Sequence, residues 1–170
     1  VKAATSATPN AELIDMTRRL WIGALLAAPV FALEMGAHLW EAQLGHLLAP
    51  GLSQWLQFLL ATPVVLWAGW PFFAHAYSSV VNRSLNMFSL IALGVGAAYG
   101  YSLIAVILPG LFPGALRNQH GLVPVYFEAA AVITVLVLVG QVLELRAREQ
   151  TGGAIRALLN LAPKRARRVQ

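Results

Sequence analysis

The sequence predicts an all-α membrane protein with four transmembrane helices. Apolar residues make up 58% of its 170 residues and charged residues only 11%, whereas a soluble domain carries about 25% charged residues. Four apolar runs each approach the ~20 residues that a helix needs to cross a hydrocarbon core. The charges, net +5, cluster in short basic segments beside these runs. That pattern is typical of membrane topology and not of nucleic-acid binding, so no nucleic-acid partner is expected.

The chain divides into a polar segment and four predicted spans. Residues 1–17 are mostly small and polar, and they predict a flexible tail. The predicted spans, in order, are Leu20–Leu39, Trp55–Phe73, Met87–Leu108 and Val123–Leu143. The corresponding division of the chain is 18–83 for the first two helices, 84–149 for the next two, and 150–170 for the segment that follows them. There is no cysteine, which excludes a disulfide or a Cys-x-x-Cys metal module within these residues.

The arginines predict the orientation. If the spans alternate in direction, six of the arginines that flank the spans fall on one side of the membrane and only Arg117 falls on the other. The six are Arg18, Arg19, Arg83, Arg146, Arg148 and Arg156. Because basic residues accumulate on the cytosolic side, both ends of this chain are expected in the cytosol.

The end of the second span predicts a kink and an interfacial extension. In the run from Ala68 to Phe73, Gly69 weakens the helix, and Pro71 removes a backbone donor and clashes with the preceding turn. Beyond the kink, apolar residues alternate with polar ones, among them His75 and Arg83, at roughly amphipathic spacing. This favours a segment that lies along the cytosolic interface. The alternative is an ordinary proline-marked helix end followed by an interfacial turn.

The start of the third span and the end of the fourth suggest a metal site. Asn86 or Ser84 can cap the third helix, which places Met87 in its first turn. Consecutive spans run antiparallel, so Glu144 is expected at a similar depth. A thioether beside a carboxylate suits a soft monovalent metal such as Cu(I). The alternatives are that Met87 is core filler and that Glu144 pairs with Arg148 at i,i+4.

Glu128 stands inside the apolar run of the fourth span. An ionisable group within a span is costly, which makes it a candidate functional residue. The run predicts a position about one and a half turns inside the outer end, ~24 Å along the helix axis from Glu144. The functional interpretation is a carboxylate that receives and releases an ion near the outer face. The alternative is a side chain that snorkels to the interface.

Three stretches carry a resemblance to a known family. They are Leu85-Asn86-Met87-Phe88-Ser89-Leu90-Ile91-Ala92-Leu93-Gly94, Tyr126-Phe127-Glu128-Ala129-Ala130-Ala131-Val132-Ile133, and Gly140-Gln141-Val142-Leu143-Glu144-Leu145-Arg146-Ala147-Arg148 running on to Leu158. With them, the chain from Arg18 to Gln170 resembles the P1B-type heavy-metal ATPases. The closest branch is the bacterial copper(I)-exporting CopA type.

The resemblance implies an N-terminal membrane fragment of an ATP-driven copper(I) export pump in a bacterial inner membrane. The first two spans would be class-specific helices, and the next two would be the first core helices. Residues 150–170 would be a cytosolic stalk that continues the fourth helix and leads into an actuator domain that begins near Ala166. ATP and Mg²⁺ would be used by other domains of the parent, through an aspartyl-phosphate, because this stretch contains no phosphorylation or nucleotide motif. The implied partners are membrane lipid and the remaining membrane and cytosolic domains.

The resemblance also implies roles for individual residues. Met87 and Glu144 match the cytosolic site through which the metal enters, and Glu128 matches an acid of the release path. The kinked segment, with Ala68, Gly69, Pro71, His75 and Arg83, matches a docking platform for a copper chaperone. Ala68 departs from the family's usual double glycine, and the platform has few basic residues. The Cys-Pro-Cys metal motif does not occur in these residues. A P1B pump for silver or zinc, or a non-enzymatic four-helix membrane scaffold, therefore remains an alternative.

Overall fold

The computed structural model describes residues 9–39, 50–118 and 121–160, and these residues form helices joined by short connections, with no strand among them. The five α-helices are α1 (Pro9–Leu39), α2 (Pro50–Thr62), α3 (Trp70–Val81), α4 (Met87–Ile107) and α5 (Phe127–Asn160). A π-helical segment, Pro63–Ala68, prolongs α2 to the break before α3. Two 3-10 turns, Pro109–Leu111 and Gly114–Leu116, lie in the connection after α4.

The helices are those of a membrane protein. Among the described residues, three stretches are long and apolar enough to cross a bilayer: Ala11–Gly36, Met87–Ile107 and Phe127–Thr151. A fourth candidate combines Gly51–Ala68 with Trp70–Val81, two helices that meet at an angle of 54°. The prediction of an all-α membrane protein is thereby confirmed, with three spans or four according to whether the bent pair crosses as one.

The first helix begins earlier than the sequence predicted. Residues 9–17, which were assigned to a flexible tail, are helical, because α1 starts at Pro9 and not near Leu20. Glu12 lies in the first turn, where a carboxylate is favourable at the positive end of the helix dipole. Asp15 accepts a hydrogen bond from Arg19 one turn later, over 2.8 Å. The remainder of the predicted tail, residues 1–8, lies outside the described residues. So do residues 161–170, which include the predicted start of the actuator domain near Ala166.

The last helix begins later than predicted, at Phe127 and not at Val123. Pro124 disfavours helical geometry at the residue before it, so the chain here is non-helical. This segment is packed into the bundle, with Val123 and Val125 buried. Its backbone groups find side-chain partners, since the Val123 carbonyl accepts from Gln54 Nε2 over 2.8 Å and the Tyr126 amide donates to Ser102 Oγ over 2.7 Å. Such satisfaction is what non-helical backbone at membrane depth requires.

The break between α2 and α3 centres on Gly69. The Gly69 amide donates to the Val64 carbonyl, which closes a π turn, and Pro71 has no amide to continue the ladder. Arg19 of α1 donates to the Trp67 carbonyl, and its guanidinium carbon lies 5.1 Å from the centre of the Trp67 ring. A carbonyl at the end of the π segment thus gains a charged donor from a neighbouring helix.

Apolar clusters hold the two ends of the bundle. One end, here called the basic end, carries Arg18, Arg19, Arg83, Arg146 and Arg148. Beneath these arginines a core unites α1, the α2–α3 break and α5 through Met16, Ala68, Phe72, Leu138 and Val142. Towards the opposite end a second core joins α1, α2, α4 and α5 and includes Ala27, Val64, Ala105, Phe127 and Ala131.

We expect Gly69→Ala to destabilise the fold. A Cβ at residue 69 would overlap the Val65 carbonyl oxygen and lie 3.2 Å from Cγ2 of Thr134 on α5. Because the first obstacle is backbone, the break itself must shift, and overpacking of this kind costs about 1–3 kcal/mol. Thermal unfolding of the purified protein in detergent should show a lower melting temperature.

Gly94→Ala is the matched control for this prediction. A Cβ at residue 94, within α4, meets no atom within 4 Å. Alanine in a helix interior is favoured over glycine by roughly 0.5–1 kcal/mol, so this variant should melt at or above the wild-type temperature. Equal melting temperatures for both variants would show that the break tolerates a side chain.

Candidate metal sites

Met87 is held at the basic end as the first residue of α4. Asn86 caps this helix, since its Oδ1 accepts from the amides of Phe88 over 3.0 Å and Ser89 over 3.2 Å. Ser89 Oγ in turn accepts from the Asn86 amide over 3.5 Å, which completes a capping box. The Met87 side chain is 60% exposed. It is therefore not core filler within this chain, and its thioether is accessible.

The residue after Met87 fixes the turn against α3. The ring of Phe88 stacks on Phe72, with centroids 6.1 Å apart and planes inclined by 8°. The Phe88 ring also lies beside His75, at 5.3 Å between ring centroids. Phe72 is buried in the core of the basic end, whereas His75 is exposed. The first turn of α4 is therefore anchored to the helix that follows the Gly69 break.

Glu144 lies on α5 with its side chain 46% exposed. Its Oε1 accepts from Arg148 Nη2 over 2.6 Å, and its Oε2 accepts from Gln141 Nε2 over 3.3 Å. The ion pair that the sequence offered as the alternative interpretation is thus present. Exposed pairs at i,i+4 on a helix are worth only about 0.3–0.5 kcal/mol. An arriving cation could displace Arg148 at little cost.

The turns that carry Met87 and Glu144 lie at the same end of the bundle. Phe88, the neighbour of Met87, packs against the core of the basic end, and so does Leu145, the neighbour of Glu144. Val142, two residues before Glu144, is a buried member of that core. The contacts that join these two turns are made by apolar neighbours. The Met87 thioether and the Glu144 carboxylate are left on the surface above them.

Glu128 lies at the opposite end, in the first turn of α5 and not one and a half turns inside the helix. Its side chain is half-buried, and its Oε2 is shielded from solvent. The adjacent Phe127 is fully buried, with Phe58 and Tyr99 each 5.7 Å away between ring centroids. The position at a helix N-terminus stabilises a carboxylate through the dipole. Glu128 and Glu144 are thus separated by most of the bundle.

The sequence interpretation missed a polar pair near that end, formed by Gln57 and Glu34. Gln57 of α2 is only 2% exposed, and its Nε2 donates to Glu34 Oε2 of α1 over 2.9 Å. The other amide atom, Oε1, is buried without a hydrogen-bond partner in the described part of the chain. Because α1 and α5 run antiparallel, with Ala27 beside Ala131, Glu34 lies level with the start of α5. A glutamine within an apolar run was the available signal.

The predicted platform residues lie around the break and along α3. Ala68 and Gly69 are buried, Pro71 is half-buried, and Arg83 is exposed like His75. Arg83 has a φ of 51°, in the left-handed region, at the tight turn between α3 and α4. One face of α3 is buried, and a second is exposed and rich in apolar residues. That exposed face includes Trp70, Ala74, Tyr77, Val80 and Val81.

Within the described ranges, no three His, Cys, Asp or Glu residues come together in a way that could hold a metal ion.

No protein-family model matches the chain. Individual relatives do match, over nearly its whole length. A silver-exporting P-type ATPase of Salmonella typhimurium is 64% identical over 98% of this chain. A copper-exporting P-type ATPase of Legionella pneumophila is 58% identical over 94% of it.

A copper-transporting P-type ATPase of Rhizobium leguminosarum bv. viciae is likewise 58% identical, over 97% of the chain. This chain belongs to the P1B-type heavy-metal ATPases. It covers only 20% of the Salmonella relative, 21% of the Legionella relative and 20% of the Rhizobium relative. The family predicted from the three sequence stretches is confirmed.

We expect Asn86→Ala to loosen the turn that carries Met87. Loss of the cap leaves the Phe88 and Ser89 amides without their side-chain acceptor, and such caps are worth about 0.5–2 kcal/mol. Hydrogen exchange at these two amides should accelerate. Asn82→Ala is the control, since the side-chain amide of Asn82 bonds only to the exposed Ser78 hydroxyl among the contacts described. Unchanged exchange in Asn86→Ala would mean that the turn is held by contacts other than the cap.

Proposed function

We propose that this chain forms the part of an ATP-driven copper(I) export pump through which the metal enters and leaves the membrane domain. The observation that carries the proposal is its identity of 58–64% with copper- and silver-exporting P-type ATPases, over more than nine-tenths of its length. ATP and Mg²⁺ would act on other domains of the pump. The C-terminal part of α5, from Gln150, would be the stalk that connects to them.

The proposed entrance is at the basic end, where Met87 and Glu144 serve as transient ligands. A thioether is a soft donor that favours Cu(I), and a carboxylate supplies the negative charge that a cation needs. Met87 is exposed, and within the described part of the chain Glu144 is engaged by an exposed ion pair and a 3.3 Å hydrogen bond. Both groups can therefore bind an ion without unfolding any packed structure. Weak competition also suits a site that must pass its ion on.

We propose that the chain lies in a bacterial inner membrane with its basic end facing the cytosol, because basic residues accumulate on the cytosolic side. The helix α3 would then lie along the inner interface with its apolar exposed face, including Trp70 and Tyr77, among the lipids. This segment is the proposed platform for a copper chaperone. His75 and Arg83 are its exposed basic side chains, so docking there would depend more on shape than on charge.

Glu128 is the proposed ligand on the release side. Its carboxylate is half-buried at the N-terminus of α5, at the end opposite to Met87. An ion leaving the membrane domain needs a last acceptor that holds it more weakly than the sites before it. A hard carboxylate oxygen is a poor ligand for a soft monovalent ion, which makes it suitable for release.

Silver is the second candidate substrate, because the 64% identical relative from Salmonella is named as a silver exporter. Ag(I) is as soft and monovalent as Cu(I), so the same thioether and carboxylate would accept it. The three relatives reported above are named for copper or silver and not for zinc. Their match to pumps also favours this function over a passive membrane scaffold.

We expect Met87→Leu and Glu144→Ala to weaken activation by Cu(I) in the full-length pump. Leucine retains the apolar volume of methionine and removes only the sulfur. Loss of even an outer-shell partner of a metal ligand typically costs about 10–100-fold in affinity. With a ligand itself removed, the Cu(I) concentration for half-maximal ATP hydrolysis should rise about tenfold or more. The measurement is copper-dependent ATPase activity in membrane vesicles.

Two variants serve as controls. Arg148→Ala removes the competitor of the metal for Glu144 and should leave activation unchanged or slightly improved. Leu90→Ala truncates another exposed side chain one turn along α4, at 72% exposure, and should have no effect. If Met87→Leu and Glu144→Ala behave like Leu90→Ala, the two residues are not ligands at the entrance.

We expect Glu128→Ala to slow release without affecting capture. Maximal copper transport into inverted vesicles should fall by about tenfold or more, on the same scale as the loss of a metal-binding group. The Cu(I) concentration for half-maximal activation should stay within about twofold of the wild type, because Glu128 lies ~24 Å along the helix from Glu144. Ala129→Ser, at the next position of the same turn, is the control. A rise in the half-maximal concentration with unchanged maximal transport would contradict a role in release.

A further inference from the structure

The end of α3 contains a buried hydroxyl, that of Ser79. The side chain is 4% exposed, while the other buried residues of this helix are Phe72 and Ala76. Ser79 Oγ donates to the Ser84 carbonyl and accepts from Ser89 Oγ over 3.0 Å. The Ser84 amide donates in return to the Ser79 carbonyl over 3.0 Å. The hydroxyl is thus fully engaged, and its partners lie outside α3.

The two partners of the Ser79 hydroxyl lie on either side of Met87. Ser84 belongs to the connection that precedes α4, and Ser89 is the third residue of α4. Ser89 Oγ is also the group that closes the capping box by accepting from the Asn86 amide. One hydroxyl therefore fixes the chain before Met87, and it orients the side chain that completes the cap of the helix after it.

We propose that Ser79 is a positioning residue for the thioether of Met87, through its bonds to Ser84 and Ser89. The inference rests on the proposed function of Met87 as an entrance ligand. Because Met87 is itself exposed, packing of its own side chain does not define where its sulfur lies. Its position is set by its backbone, which α3 holds through Ser79 and through the stacking of Phe72 on Phe88. A displacement of α3 would therefore move Met87 with it.

The test compares Ser79→Ala with Ser78→Ala in the full-length pump. Ser78 is the neighbouring serine on α3; it is exposed, and its hydroxyl bonds to Asn82 over 3.3 Å. Ser79→Ala should raise the Cu(I) concentration for half-maximal ATPase activity about fivefold, the size expected for one net hydrogen bond. The activity at saturating Cu(I) should be unchanged. Ser78→Ala should match the wild type, and Ser79→Thr, which keeps the hydroxyl, should restore most of the affinity.

A double variant tests whether Ser79 acts through Met87. In a Met87→Leu background, Ser79→Ala should not raise the half-maximal Cu(I) concentration further, because the effects of two residues that act through the same group are not additive. Additive effects would overturn the inference. So would a Ser79→Ala variant that behaves like Ser78→Ala, or one that loses maximal activity and melting temperature with an unchanged half-maximal concentration. The last outcome would assign Ser79 a structural role only.

Hydrogen exchange separates this inference from the proposed function. Ser79→Ala should accelerate exchange at the amides of Phe88 and Ser89, and Ser78→Ala should not. If exchange accelerates but Met87→Leu leaves copper activation unchanged, the turn is positioned as inferred and the entrance role of Met87 fails. If Met87→Leu weakens activation and Ser79→Ala changes neither exchange nor activation, the entrance role stands and the positioning inference is overturned.

Discussion

The break at Gly69 is the constraint on which the basic end of the molecule depends. An unbroken helix from Pro50 would carry Phe72 and Ser79 straight on along the axis of α2. The break instead turns α3 by 54° and brings both residues against the first turn of α4. It is possible because residue 69 lacks a Cβ and because Arg19 satisfies the Trp67 carbonyl. A charged donor at such a site is worth about 1.5–3 kcal/mol, more than a neutral hydrogen bond.

The two ends of the bundle differ in how they hold their candidate ligands and polar groups. At the basic end, Met87 and Glu144 are exposed above an apolar core, and the competing ion pair of Glu144 is weak. At the other end, Glu128 and the Glu34–Gln57 pair are partly or wholly buried among aromatic and aliphatic side chains. Under the proposed function, exposed groups suit capture of an ion from a partner. Carboxylates inside the bundle suit guidance of the ion once it is desolvated.

Much of this arrangement could be predicted from the sequence. Long apolar runs define helices such as Met87–Ile107, and Asn86 is a strong capping residue whose effect is local. The late start of α5 was missed because Val123 and Val125 are apolar enough to extend the run, although Pro124 between them disfavours a helix. The early start of α1 was missed because its first two turns mix polar residues such as Glu12 and Asp15 with apolar ones and precede the continuous apolar run.

The tertiary polar contacts could not be predicted. Gln57 and Glu34 are 23 residues apart, and nothing in either run indicates that their faces meet. In the sequence, Ser79 and Ser89 are ordinary small polar residues. The turn between α3 and α4 brings their hydroxyl oxygens to 3.0 Å from each other. Periodicity shows which face of a helix is apolar. It does not show which residue of another helix that face will contact.

The central claim, that Met87 and Glu144 share an entering ion, is tested most directly by X-ray absorption at the copper edge. The chain has three methionines, of which Met16 is buried, and no cysteine, so sulfur ligands are few. With one equivalent of Cu(I) bound to the chain in detergent, we expect a sulfur scatterer that is lost in Met87→Leu and an oxygen scatterer that is lost in Glu144→Ala. A copper spectrum that is identical in the wild type and both variants would contradict the account.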